Sequence, residues 1–125
     1  MNEKNEIHIG LMPRHDSMTT NEGGEMAGYI WDLDRISYEK LAKPTELEID
    51  AFTWLLGQGK KLGLDDTTKT IYLYLTGLNQ AQWAFLNAWT CFCEGIRGGN
   101  HQGLVVMHYN PHTDTYTPQE VRAKV

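Results

Sequence analysis

The sequence predicts an α/β fold: a small mixed sheet of about four to five strands with a βαβ core and a C-terminal β-hairpin. Three observations predict it. Ile71-Tyr72-Leu73-Tyr74-Leu75 is a short, unbroken apolar run bounded by polar residues, the pattern of a central strand covered on both faces. The stretch Asn79 to Glu94 then repeats apolar residues at helical spacing. Gly103 to Tyr109 is a second apolar run, followed by a turn and Thr115-Tyr116-Thr117.

In chain order, Glu6 to Met12 alternates loosely and reads as an opening strand. Pro13 to Glu25 is polar and carries Gly23 and Gly24, so a long, mobile loop is expected there. Met26 to Trp31 reads as a second strand. Thr45-Glu46-Leu47-Glu48 has the capping-box pattern, which predicts a helix starting at Thr45. Leu47, Ala51, Phe52, Leu55 and Leu56 form its apolar stripe, and Gly57 and Gly59 are expected to end it. Lys60 to Thr70 then reads as a loop. The strand Ile71 to Leu75 passes through Thr76-Gly77-Leu78 into the long helix, whose apolar face is Ala81, Phe85, Ala88, Trp89 and Phe92. Gly95, Gly98 and Gly99 break that helix. The turn Asn110-Pro111-His112-Thr113-Asp114 sends the last strand back antiparallel. Such a chain makes a cut-down Rossmann-like topology, since a βαβ crossover is right-handed in nearly all folds.

The 125 residues suit a single domain, 1–125, with 13–25 as its mobile loop. Hydrophobic residues make up 41% and charged residues 22%, a globular rather than disordered balance. The net charge of −5 repels phosphate backbones, so duplex nucleic acid is not an expected partner. Cys91 and Cys93, two apart on a helix, point about 200° apart and cannot bridge. Free thiols fit a reducing cytoplasm, and no apolar run suggests a leader or a membrane span.

The turn Thr76-Gly77-Leu78-Asn79 is the leading candidate ligand site. It joins the carboxyl end of a strand to the amino end of a helix, where open amides and the helix dipole favour an anion. Gly77 lets a ligand approach the backbone, and Thr76 or Asn79 can donate a hydrogen bond. The same residues also suit plain helix capping and a bend. His108, at the same edge of the sheet, is a candidate general acid or base. His101, His108 and His112 flank one strand, but Pro111 forbids the helix on which a two-histidine zinc motif sits, so no metal is expected. No cofactor is expected either. Asp32 with Asp34, and Asp65 with Asp66, read as loop carboxylates forming local hydrogen bonds. Gly57-Gln58-Gly59-Lys60-Lys61-Leu62-Gly63 lacks the strand and the GK[ST] ending of a phosphate loop. Trp83 projects from the polar face of the long helix, either as a partner anchor or covered by the 13–25 loop. An interface through Trp83 would make a homodimer.

The strand, Thr76-Gly77 and long helix between about Ile71 and Ala88 resemble the ligand-binding turn of CARF-type Rossmann-like domains, found in CRISPR accessory proteins and ring nucleases. Those families often carry a second Gly where this chain has Leu78, and a Lys where it has Gln80. The resemblance implies a role in sensing or degrading cyclic oligoadenylates, with Thr76 and Gly77 at the ligand. Three functions follow as expectations. The first is a module binding an anionic ligand, a nucleotide above all, at Thr76 to Asn79. The second is a metal-independent phosphodiesterase using His108. The third is an interaction module, such as a phage-encoded inhibitor or adaptor, using the Trp83 face.

Overall fold

The computed structural model describes residues 5–13, 19–31, 36–76, 79–100 and 103–121. Its strands are β1 (Glu6–Gly10), β2 (Gly28–Tyr29), β3 (Thr70–Tyr74), β4 (Leu104–Asn110) and β5 (Thr115–Glu120). Its helices are α1 (Tyr38–Leu41), α2 (Pro44–Trp54), α3 (Lys60–Leu62) and α4 (Asn79–Gly95). The five strands form one sheet in the order β2-β1-β3-β4-β5. β1 runs parallel to both β2 and β3, β3 is parallel to β4, and β5 returns antiparallel along β4. This is the small Rossmann-like sheet, βαβ core and C-terminal hairpin that the sequence pattern implies.

The alternation of β1, β3 and β4 divides the interior in two. Ile7, Ile9, Ile71, Leu73 and Leu104 face the helices and join Leu47, Ala51, Phe85, Trp89 and Phe92 in the main core. α2 and α4 pack side by side on this face. Ala81, Ala84 and Ala88 are buried along α4, which lets the helix approach the sheet closely. The opposite face is a layer of His8, Tyr72, Tyr74, Met107, Tyr109 and Tyr116. A right-handed β1-to-β2 connection moves across the sheet in the sense opposite to β2-to-β3, so it must pass over this second face. Met26 and Tyr29 accordingly pack on the tyrosine layer. Gly10 leaves room for Tyr29, because a Cβ there would lie 2.5 Å from its ring.

The same connection seals the sheet edge. The Asn21 side chain donates to Tyr116 O at 3.0 Å and accepts from Tyr116 N at 2.9 Å, the pair of bonds a neighbouring strand would make. Val121 N donates to Leu104 O, which turns the amides of 116, 118 and 120 away from β4. Pro118 therefore presents its missing N–H to the outer edge, where proline is tolerated in strands and blocks further pairing.

Two helix boundaries differ from the sequence expectation. The capping box is not used: Lys43 is the N-cap, without a side-chain bond, and Pro44 opens α2. Its fixed φ suits the first helical position, so the helix starts one residue early and Thr45 lies inside it. Glu48 instead accepts from Asn87 Nδ2 at 3.0 Å, tying α2 to α4. Nor do Gly57 and Gly59 stop the chain. It continues through a π-helical turn, Leu55–Gly59, into α3, so residues 60–62 are helical rather than loop. Gly63, at φ +95°, ends it. A glycine weakens a helix but terminates it only where the backbone needs the left-handed region. Leu56, expected in the apolar stripe, is 40% exposed. The second strand is shorter than Met26 to Trp31, and the last is longer than Thr115 to Thr117.

Candidate functional site

The strand order sets where a site can form. From β1 the chain passes to β2 on one side, and from β3 it passes to β4 on the other. The carboxyl ends of β1 and β3 therefore flank a topological switch point, the usual binding crevice of open α/β sheets. Thr76 sits there. Its hydroxyl donates to Met12 O at 3.1 Å, linking the two strand ends, and its carbonyl accepts from Gln82 Nε2 at 3.1 Å. Thr76 is buried and Asn79 is exposed at the first position of α4. Gly77 and Leu78 lie outside the described residues.

Thr76 thus has a structural task as well as a place at the crevice. Its Oγ keeps lone pairs for accepting, while its proton is committed to Met12. Thr76→Val keeps much of the shape but removes the hydroxyl, and with it both the bond to Met12 and any ligand contact through Oγ. In chain order Arg14, His15 and Asp16 follow the carboxyl end of β1. They lie outside the described residues.

Next to the turn is a groove of about 310 Å³ between α4 and the β4–β5 hairpin. Leu75, Leu86, Val106 and Val121 give it apolar walls, and Gln82, Trp83, His108, Gln119 and the acidic Glu120 give it a polar and aromatic rim. The structure therefore brings His108 and Trp83 to one cleft, beside the strand end that carries Thr76. His108 is exposed and its Nε2 shares a hydrogen bond with Gln119 Oε1 at 2.8 Å. Trp83 is 67% exposed. Residues 19–27, the described end of the long loop, lie over the tyrosine layer and the β5 edge, not over Trp83.

The other polar candidates separate. His112 is exposed in the β4–β5 turn, where its amide bonds Asn110 Oδ1, while His101 lies outside the described residues. Asp66 Oδ1 accepts from the amide and the hydroxyl of Thr68 at 2.9 and 2.7 Å. The Thr68 hydroxyl bond, followed by its amide, holds the Asp66 carboxyl below the usual aspartate value. Asp32 and Asp34 lie outside the described residues. Among the described residues no group of three or more His, Cys, Asp or Glu could hold a metal ion, and no helix is long and apolar enough to cross a membrane.

A second polar cluster, missed in the sequence, lies on the tyrosine face. His8 Nδ1 is 2.7 Å from Tyr74 Oη, and His8 Nε2 is 3.3 Å from Glu6 Oε1. The His8 ring stacks on Tyr72 at 4.7 Å. Period-two alternation along β1 and β3 puts all four on one face, a signal visible only once the register is known. Burial, then the Glu22 carboxylate, pushes the Tyr74 phenol well above its ordinary value of 10.0. The folded chain then holds a proton that the unfolded chain loses above about pH 10. This contribution is whole below that pH and is lost as pH rises through and beyond it. A phenolate titration followed at 295 nm should find Tyr74 protonated until the chain unfolds, and Tyr74→Phe should remove that late step.

Compared with known proteins, the chain matches no family model, no curated protein and no solved structure.

Proposed function

We propose that the chain is a small binding module for an anionic ligand, with a nucleotide as the chemical class that suits it. The observation that carries this reading is the position of Thr76 at the switch point between β1 and β3, immediately before α4. Helix amides without intrahelical partners point out of the start of α4, and the helix dipole favours negative charge there. The whole chain carries a net charge of −5, so an anion would be held by such a local site rather than by the general field of the surface. The adjoining groove supports a nucleotide in particular. Trp83 offers a ring face for a base, and Gln82, Gln119 and His108 offer donors and acceptors for its edge.

Amide chemical-shift mapping with mononucleotides and with cyclic oligonucleotides tests it. Shifts are expected at Met12, Thr76, Asn79 and Gln80, with a smaller set at His108 and Gln119. No shift at millimolar ligand, or shifts confined to 13–25, would reject the site. Product analysis of the same mixtures tests the phosphodiesterase reading. That reading is favoured by His108 at the groove and requires cleavage that His108→Ala abolishes in metal-free buffer.

A further inference from the structure

Gln82, the fourth residue of α4, belongs to both halves of the crevice. With Leu86, one turn on, it lines the groove between α4 and the hairpin. The same side chain reaches back to the strand end, where its Nε2 donates to Thr76 O at 3.1 Å. A carbonyl oxygen only accepts, so that bond orients the carboxamide, and Oε1 is the atom left for the groove. Helix propensity gives glutamine no advantage over leucine at this position. Leucine would also match the walls made by Leu75, Leu86, Val106 and Val121. A half-buried carboxamide there costs desolvation that the bond to Thr76 offsets at one of its two polar ends.

We propose that Gln82 is the positioning residue of the ligand site, holding the Thr76 carbonyl with its N–H while its Oε1 receives an N–H of the base in the groove. This role rests on the nucleotide reading of the site and adds what joins its two parts. The Thr76 carbonyl stands just before the positive end of α4, and the partial negative charge on its oxygen opposes a phosphate bound there. A donated N–H offsets that charge. It also fixes the peptide. The Thr76 hydroxyl is bonded to Met12 O at 3.1 Å, so the hydroxyl and the carbonyl of Thr76 are both tied before any ligand arrives. Binding then costs little ordering of the strand end. On the groove side, each nucleobase carries at least one N–H on its pairing edge, which a fixed acceptor can receive. One carboxamide thus registers the base against the phosphate.

Amide chemical-shift titrations of the full chain with inorganic phosphate, with adenosine and with AMP test this through two variants. Gln82→Leu keeps the size and the helix propensity and removes both polar ends. It should weaken phosphate and adenosine alike, each by about 5- to 10-fold, the effect of one lost hydrogen bond, and AMP by more than either. Gln82→Glu keeps an acceptor for the base but has no N–H for Thr76 at neutral pH. It should bind adenosine as the wild type does and lose phosphate. Both variants should keep the wild-type circular dichroism spectrum, since Gln82 is only half-buried. A brace that serves Thr76 alone would weaken phosphate and leave adenosine unchanged in Gln82→Leu. A plain groove wall would leave both unchanged. Either result overturns the proposal. A wild-type chain that binds none of the three probes overturns it together with the nucleotide reading. Wild-type binding of AMP that both variants retain overturns the role of Gln82 alone.

Discussion

Phe85→Ala should cost about 3–5 kcal/mol of folding stability, the range for deleting a buried aromatic ring. Phe85 is fully buried, on the face of α4 that meets the sheet. Its ring lies 6.3 Å from that of Trp89, centroid to centroid, and Trp89 in turn stacks with Phe92 at 5.8 Å. Around it the space is filled by rigid neighbours on β1, β3 and α2, so collapse around a lost ring is limited. A domain of this size is stable by roughly 5–15 kcal/mol. The variant should therefore sit near the edge of folding at room temperature. Urea unfolding followed by circular dichroism measures the loss, and a change below about 1 kcal/mol would mean that α4 is not packed on the sheet through Phe85.

Arg97→Met should cost about 2–4 kcal/mol, because it removes hydrogen bonds from a charged donor and strands the buried carbonyl of Leu64. Arg97 is 3% exposed, just past the end of α4. Its Nη1 donates to Leu64 O at 2.6 Å and its Nε donates to Asn100 O at 3.2 Å. The guanidinium also lies 5.0 Å from the Trp89 ring centroid. One side chain thus fastens the loop before β3 to the chain between α4 and β4, with an aromatic face beneath it. Methionine keeps much of the volume and the contact with Trp89 but offers no donor. Arg97→Lys should recover only part of the loss, since one ammonium cannot reproduce the planar fork. Urea midpoints of the three proteins order them, and equal stability of Arg97→Met and wild type would remove this role.

How much of this was legible in the sequence follows from the range of each interaction. The apolar run at β3 and the period of α4 are set within windows of a few residues, and both elements stand within one residue of where their patterns placed them. The start of α2 was misread although its signals are local, because Pro44 and Thr45 compete for the same boundary and proline's fixed φ prevails. Gly57, Gly59 and Gly63 are indistinguishable by residue type, and only the backbone conformation needed at 63 singles out the stop. Of the candidate site, the carboxyl-end position of Thr76 was readable from strand and helix order. The partner of its hydroxyl was not, because Met12 lies 64 residues away in the chain.

By itself, then, the sequence determined the layers of this protein: which segments are strands, which face of α4 is buried, and that the chain turns from strand to helix at Thr76. These follow from local propensity and periodicity, which act over one or two turns of chain. Tertiary structure alone decided what those elements meet. Strand order created the switch point, and register set His8 against Tyr74. The long connection closed the β5 edge through Asn21, which left Trp83 open beside the groove with His108. Each of these joins residues tens of positions apart, and such contacts form only when burying the whole apolar face repays the entropy of closing the chain between them.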